Sequence, residues 1–338
     1  MIKKILVTAA MVISTFIMRA QQWNLVWSDE FNTDSLNTAN WVYETGYGNW
    51  GNSELENYTS RPENVTVANG NLMIIGKAES YLGSNYTSGR LKTLGKQSWQ
   101  YGKVEARIKI PTGKGIWPAF WMMGTNINSV SWPNCGEIDI MEHINTDSTI
   151  YGTMHWYNGG TSNYGGNKQI QNINQYHIYS VEWDSTAITW FIDSVQYWKG
   201  SVANNVNNTN AFHKPFFILL NMAIGGTWPG NPDSTTILPV TMFVDYVRVY
   251  QKLNPLSESS IVKYQKEISI FPNPTRDSFT VNCGEPAIIE LYSTTGNLLL
   301  QTTQTESTTL SIKNKPAGIY FVKVITKNGV IIKQLLIE

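Results

Sequence analysis

The stretch Cys135-Gly136-Glu137-Ile138-Asp139-Ile140-Met141-Glu142-His143 sets three carboxylic acids among apolar side chains. In a half-buried strand, residues two apart share a face, so Glu137 and Asp139 point one way while Ile138 and Ile140 enter the core. Strict alternation would then carry Met141 to the acidic face and Glu142 into the core. There an unpartnered carboxylate costs several kcal/mol or is forced neutral. One extra residue in the strand, a β-bulge at Ile140–Met141, returns Glu142 to the side of the other two acids. Three carboxyls on one face repel, so their pKa values separate, with one raised and the others kept ionised. Hydrolysis of a glycosidic bond with retention needs such a set: an ionised nucleophile and a protonated acid, roughly 5–5.5 Å apart. Five extended residues span about 16 Å, so bulge, strand curvature and side-chain reach must together close that gap. A calcium site or a solvated acidic face is the other chemistry open to an E-x-D-x-x-E pattern. The apolar remainder of the strand and its aromatic-rich surroundings weigh against that reading.

The elements that must hold this strand are themselves strands. NVTVANGNLMIIGKA, YGKVEARIKI, TIYGTMHWY, YHIYSVEW, AITWFIDSVQYW and TMFVDYVRVY alternate with period two and are split by Gly, Asn and Pro turns. Asn69-Gly70 between two such runs is a hairpin signal. No stretch carries a long helical apolar stripe. Strands without intervening helices predict an all-β sandwich or jelly roll, whose curved sheet offers a concave face to a long polymer.

Composition narrows the field. The chain has 338 residues, with 25 Lys+Arg against 25 Asp+Glu, so nothing electrostatic favours nucleic acid or an anionic membrane. Charged residues make up 15% and hydrophobic residues 42%, which excludes a mostly disordered chain and supplies a full core. The Gly, Asn and Trp content excludes a coiled coil. Cys135 and Cys283 are the only cysteines and fall in separate parts of the chain, so no disulfide framework is expected.

The ends differ from the middle. MIKK, then the apolar run ILVTAAMVISTFIM, then RAQQ, reads as a secretory signal peptide over 1–20, too short to span a bilayer. All 13 tryptophans lie between Trp23 and Trp228. Residues 252–266 are polar and aperiodic and read as a linker. Beyond them, short alternating runs with Thr-Gly-Asn and Asn-Gly turns predict a small antiparallel β-sandwich over 267–338, near the lower size limit for independent folding. FPNPTRDSFTV, IELYSTTGNLL and PAGIYFVKVITKNGVIIKQLLIE resemble the C-terminal sorting domain read by the type IX secretion system of Bacteroidetes. That resemblance implies an address for crossing the outer membrane, and a secreted or cell-surface location. An appended carbohydrate-binding module is the alternative, disfavoured because this segment has no Trp to stack on a sugar.

The middle has a closer likeness. The run from Trp132-Pro133 through Glu142, with WSDEFN, GNSELENYT, YTSGRLKT, YGKVEARIKIP, GIWPAFWMMG, YGTMHW, NMAIGGTWPG and VDYVRVY in the same order, resembles glycoside hydrolase family 16 in its bulged, laminarinase-like branch. The likeness spans 21–251 and implies a β-jelly-roll catalytic domain with a retaining, endo-acting mechanism. By position it makes Glu137 the nucleophile and Glu142 the acid/base, with Asp139 between them setting the proton balance. It makes Trp117 and Trp121 sugar-stacking residues, whereas Phe120 and Met122, on the opposite face, belong to the core. Asn52, Arg90, His155 and Trp228 match substrate-contacting positions; a structural histidine and a loop-packing tryptophan are the other readings of the last two. Glu30, Gly70 through its carbonyl, and Asp245 match a structural calcium site, with an ordinary hydrogen-bond cluster as the alternative. No cofactor is expected for catalysis, and a monomer acting on β-glucan is expected. β-1,3-Glucan is the leading substrate and mixed-linkage β-1,3-1,4-glucan the runner-up. Sulfated galactans would favour a basic cleft, and a non-catalytic glucan-binding lectin would lack the glutamates that are present here.

Overall fold

The computed structural model describes residues 23–48, 50–252, 268–294, 296–326 and 329–338. The expected signal peptide and nearly all of the expected linker lie outside the described residues. The chain divides into two compact units, Met1–Leu253 and Asn254–Glu338.

The first unit is built from two sheets, antiparallel except where Glu56–Tyr58 pairs parallel with Ser84–Ser88. One has seven strands, ordered Thr161–Gln169, Thr149–Tyr157, Glu137–Glu142, Ile116–Gly124, Phe216–Ile224, Arg90–Lys92 and Val42–Tyr43. The other runs Val195–Ser201, Ala187–Ile192, Tyr176–Trp183, Gly102–Lys109, Val240–Lys252, Asn71–Tyr81, Ser84–Ser88 and Glu56–Tyr58. Trp23–Asp29 joins this second sheet beside Val240–Lys252, and Val65–Ala68 joins it beside Asn71–Tyr81.

The period-two pattern fixes which face each strand buries. Ile138, Ile140, Met141, Phe120, Met122, Ile218 and Leu220 leave the first sheet to meet Val104, Ala106, Ile108, Val181, Val247 and Val249 from the second. All are at most 1% exposed, and each such side chain contributes roughly 1.5–3 kcal/mol when buried. Phe120 and Met122 thus occupy the core as their alternation requires. The hairpin at Asn69-Gly70 forms with both residues at positive φ (54° and 71°), the conformation a two-residue turn of this hand demands. Among the described residues, helix is confined to Ile127–Val130 and a 3₁₀ segment at Ala203–His213.

The second unit is a smaller sandwich. Ser269–Phe271, Ser278–Asn282 and Ser307–Ser311 form one sheet; Leu298–Gln304, Ala287–Ser293, Gly318–Thr326 and Gly329–Ile337 form the other. Phe279, Val281, Ile289, Leu291, Val322, Val324 and Leu335 fill its core. Cys135 and Cys283 are both buried free thiols.

Candidate active site

The strand Glu137–Glu142 carries one more residue than its neighbours between its acids. Asp139 pairs with Thr153 and Glu142 with Tyr151, three steps against two. On the other side Asp139 pairs with Trp121 and Met141 with Phe120, two steps against one. The extra residue lies between Asp139 and Met141, so Ile140 and Met141 are consecutively buried and Glu142 emerges beside the other acids. The bulge required by the cost of burying Glu142 is there, one residue wide. Gly136 precedes the strand at φ 79°, where a Cβ would crowd Ala211 and Phe216, so only glycine suits this entry.

Cross-strand pairing then decides what surrounds each acid. Glu137 is flanked by Met123 and His155, Asp139 by Trp121 and Thr153, and Glu142 by Ala119 and Tyr151. On the next strand Asn221 sits beside Ala119, and Arg90 beside Asn221. All of these side chains except Tyr151 line one cleft of about 790 Å³, which also takes in Trp50, Asn52, Glu54, Trp117, Trp132, Asn163 and Trp228. The three acids and all six residues expected to contact substrate therefore meet in a single groove across the sheet. His155 is a cleft residue, its Nε2 3.0 Å from Asp139 Oδ2 and 3.8 Å from Glu137 Oε1. His143, by contrast, is fully buried, and its Nε2 donates to the Asp147 carbonyl oxygen, 3.0 Å away.

Burial governs the titration of the acids. It pushes Glu137 up to about 8, with the Asp139 charge adding to the effect while His155 and the Trp132 indole oppose it. Asp139 is pushed up to about 8 by burial and drawn down by Glu137. Glu142 is raised well above the usual carboxyl range, first by burial and then by the charges of Asp139 and Glu137. The expected split, one acid raised and the others ionised, is not what burial produces: all three carboxyls are raised, so the trio shares protons near neutral pH instead of holding three charges.

The aromatic residues of the cleft are themselves held by polar contacts. Trp117 Nε1 donates to Glu142 Oε1 at 3.0 Å. Trp228 sits edge-on to both Trp117 (5.3 Å between ring centroids) and Tyr151 (5.0 Å), on either side of that acid. Arg90 lies between the rings of Trp50 and Trp121, 5.1 and 4.9 Å from their centroids, a cation–π clamp. Its Nε donates to Glu44 Oε2 at 2.6 Å, and Lys92 holds the other oxygen at 2.6 Å. Burial raises Glu44, but Arg90 and Lys92 outweigh it and hold the carboxyl below its ordinary range. Trp121 Nε1 donates to Asn221 Oδ1 at 2.7 Å, and Asn221 Nδ2 donates to Tyr58 Oη at 3.1 Å. Tyr58 in turn donates to Glu54 Oε2 at 3.1 Å. A buried chain of donors thus fixes the orientation of the Trp121 ring.

Sequence reasoning passed over Trp50, Glu54, Trp132 and Asn221. Asn221 had a signal: it is the only polar residue of FFILLNMAI, a strand buried along its whole length. Glu54 and Trp132 stood inside quoted motifs without a role, and Trp50 adjoins one.

The expected calcium ligands are engaged otherwise. Both oxygens of Glu30 accept from Arg248, at 2.9 and 2.8 Å, and Asp245 Oδ2 accepts from Arg107 at 2.8 Å. Arg248, with its hydrogen bond the leading cause, lowers the Glu30 pKa. With guanidiniums already on both carboxylates, the donor set Glu30, Gly70 and Asp245 does not fit a bare cation. The ordinary hydrogen-bond cluster describes it instead.

Comparison with known proteins agrees with this geometry. Residues 269–338 match the secretion system C-terminal sorting domain, which assigns the protein to export by type IX secretion, to the cell surface or beyond. No helix among the described residues is long and apolar enough to cross a membrane. The chain is similar to a beta-glucanase of Rhodothermus marinus, 38% identical over 263 residues, covering 73% of this chain and 92% of the relative. It is also similar to the clotting factor G alpha subunit of Tachypleus tridentatus, 44% identical over 251 residues, covering 72% of this chain but only 37% of that relative's length. Among solved structures, the catalytic domain of an endo-1,3-beta-glucanase (laminarinase) from Thermotoga petrophila RKU-1 superposes with a TM-score of 0.64. It is 41% identical and covers 70% of this chain and 100% of that one. Residues 52–248 match the glycosyl hydrolases family 16, and with a bulged acidic strand crossing the cleft of its jelly-roll sandwich, the chain belongs to that family.

Proposed function

We propose that the protein is a secreted, monomeric, retaining endo-β-glucanase that cuts β-1,3-glucan of the laminarin type. Glu137, its proton passed to the adjoining Asp139–His155 pair, attacks the anomeric carbon as a carboxylate while Glu142 gives its proton to the departing glycosidic oxygen, leaving a glycosyl ester on Glu137. Glu142, now ionised, takes a proton from water, and that water displaces Glu137 with a second inversion. Asp139, with His155 at 3.0 Å, distributes protons between the two glutamates. Trp117 and Trp121 present ring faces to the sugars, and Arg90 and Asn52 offer donors to their hydroxyls. Each of these residues comes from one chain, so a monomer suffices.

The bulge between Asp139 and Met141 carries this reading, because without it the acid/base would point into the core. A non-catalytic lectin has no use for three buried acids whose burial costs stability. Reducing-sugar release from laminarin, barley mixed-linkage glucan and agarose tests the assignment. Laminarin is expected to be cut fastest; a preference for barley glucan would make the protein a mixed-linkage glucanase. Binding without hydrolysis of any of the three would overturn the enzymatic reading.

A further inference from the structure

The catalytic groove contains the only group of metal-ligating side chains among the described residues: Glu137, Asp139 and His155, each offering one donor atom within 4.8 Å of the others. His155 Nε2 lies 3.0 Å from Asp139 Oδ2 and 3.8 Å from Glu137 Oε1. A cation held at 2.0–2.2 Å by nitrogen and oxygen donors sets adjacent donors about 3.0–3.5 Å apart, in octahedral or tetrahedral arrangement. His155 and Asp139 already stand at that spacing, and Glu137, 3.8 Å from His155 and within 4.8 Å of Asp139, needs to close in to meet it. Asp139 is 3% exposed, and its Oδ2 has no aligned hydrogen bond although His155 is near. A buried acceptor without an aligned donor retains a lone pair that a cation could engage. All three side chains stand on adjoining strands of one sheet, so the positions are held by the ladder rather than by a loop.

We propose that Glu137, Asp139 and His155 bind one divalent transition-metal cation, of the zinc or copper(II) kind, in competition with the glucan. The donor set chooses among metals. An imidazole nitrogen with two carboxylates suits zinc and copper, whereas calcium asks for six to eight oxygens at 2.3–2.6 Å and magnesium for a largely hydrated octahedron. Three protein ligands leave an open side facing the cleft for water. The bound cation displaces the protons the acids share, so affinity rises with pH and protons are released to the buffer. Metal on Glu137 also occupies the nucleophile, so the cation acts as a reversible stop on hydrolysis. The inference rests on the catalytic reading for this last consequence alone.

Titration calorimetry of zinc chloride into the full-length protein, with calcium and magnesium chlorides alongside, is the test. One zinc per chain is expected, with no comparable heat from calcium or magnesium. His155→Ala, or His155→Gln if the first folds poorly, is expected to weaken zinc at least about tenfold. A saturating laminarin oligosaccharide is expected to displace it. His177→Ala, which removes the exposed His177–Asp193 pair, and Cys135→Ser, which removes the neighbouring thiol, are expected to bind zinc as the parent does. No zinc binding, binding indifferent to His155 or to oligosaccharide, or loss with His177→Ala or Cys135→Ser would overturn the site. Laminarin hydrolysis measured separately in chelator keeps the two readings apart. Hydrolysis without zinc binding sinks only the metal site, and zinc binding without hydrolysis sinks only the enzyme.

Discussion

Two strands of this protein place glutamate within an apolar run, and they use it in opposite ways. In Ala287–Ser293, AIIELYS, Glu290 stands directly across the ladder from Lys323, whose ammonium is 2.9 Å away. Lys323 first, then Tyr292, hold the Glu290 carboxyl below its ordinary range. In Glu137–Glu142 the cross-strand neighbours of the acids are Met123, Trp121, Ala119, Thr153, Tyr151 and His155, with no lysine or arginine opposite. The same residue type in the same kind of strand is therefore one half of a charged cross-strand pair in one unit and a proton-holding group in the other. What sits opposite across the ladder decides which, and the bulge decides whether the third acid joins in.

The contrast can be broken at the catalytic strand first, where effects are largest. Glu137→Ser is expected to reduce laminarin turnover by more than the roughly 10²–10⁴-fold that a general acid contributes, with glucan binding retained. Hydrolysis close to the parent's rate would remove Glu137 from the nucleophile role. Glu142→Ala is expected to cost about 10²–10⁴-fold on laminarin and far less on an aryl glycoside whose leaving group needs no proton. Equal losses on both substrates would argue against an acid. A smaller change is expected from Trp117→Phe, which keeps a ring for stacking but deletes the donor to Glu142 Oε1. That donor favours the ionised acid, so its loss is expected to move the alkaline limb of the pH–rate profile upward, with kcat changed more than KM. An unmoved limb would confine Trp117 to stacking.

Stability against pH sharpens the comparison most finely, because the two strands have opposite signs. Glu137 is raised by burial from 4.5 to about 8, so the folded state holds a proton the unfolded chain gives up in that window. Its neutral form favours folding below about 4.5, and that contribution is lost as pH rises towards 8. The catalytic unit is therefore expected to melt at lower temperature at pH 8 than at pH 6, and Glu137→Gln is expected to flatten the slope. Glu290, held low by Lys323, contributes above its unfolded pKa and loses that contribution as pH falls through the folded one. Glu290→Gln should change the tail's melting slightly at pH 7 and not at all near pH 3, with laminarin hydrolysis untouched. Melting curves on both variants across pH check both signs.

Much of this was legible before the fold was known. Ile138 and Ile140 demanded one face, Glu142 could not follow the alternation into the core, and a one-residue bulge was the only local remedy. The Trp117/Trp121 spacing against Phe120/Met122 likewise separated cleft from core. What stayed hidden depends on distant pairing. Nothing local places Trp50 over Arg90, joins Asn221 to Tyr58 across 163 positions, or gives Trp117 a hydrogen bond to Glu142. The partners of the expected calcium ligands were hidden for the same reason. Glu30 and Asp245 offer suitable oxygens as residue types, but Arg248, 218 positions from Glu30, had already taken them in one case and Arg107 in the other.

Glu137 as nucleophile and Glu142 as proton donor, on one bulged strand, require two displacements at the same carbon. Proton NMR of laminarin digestion, following the anomeric signals from the first minute, tests that directly. Two displacements at one carbon predict that the β-anomer of the new reducing end appears first and mutarotates afterwards. An α-anomer appearing first would mean a single displacement by water, and Glu137 would not be the attacking group.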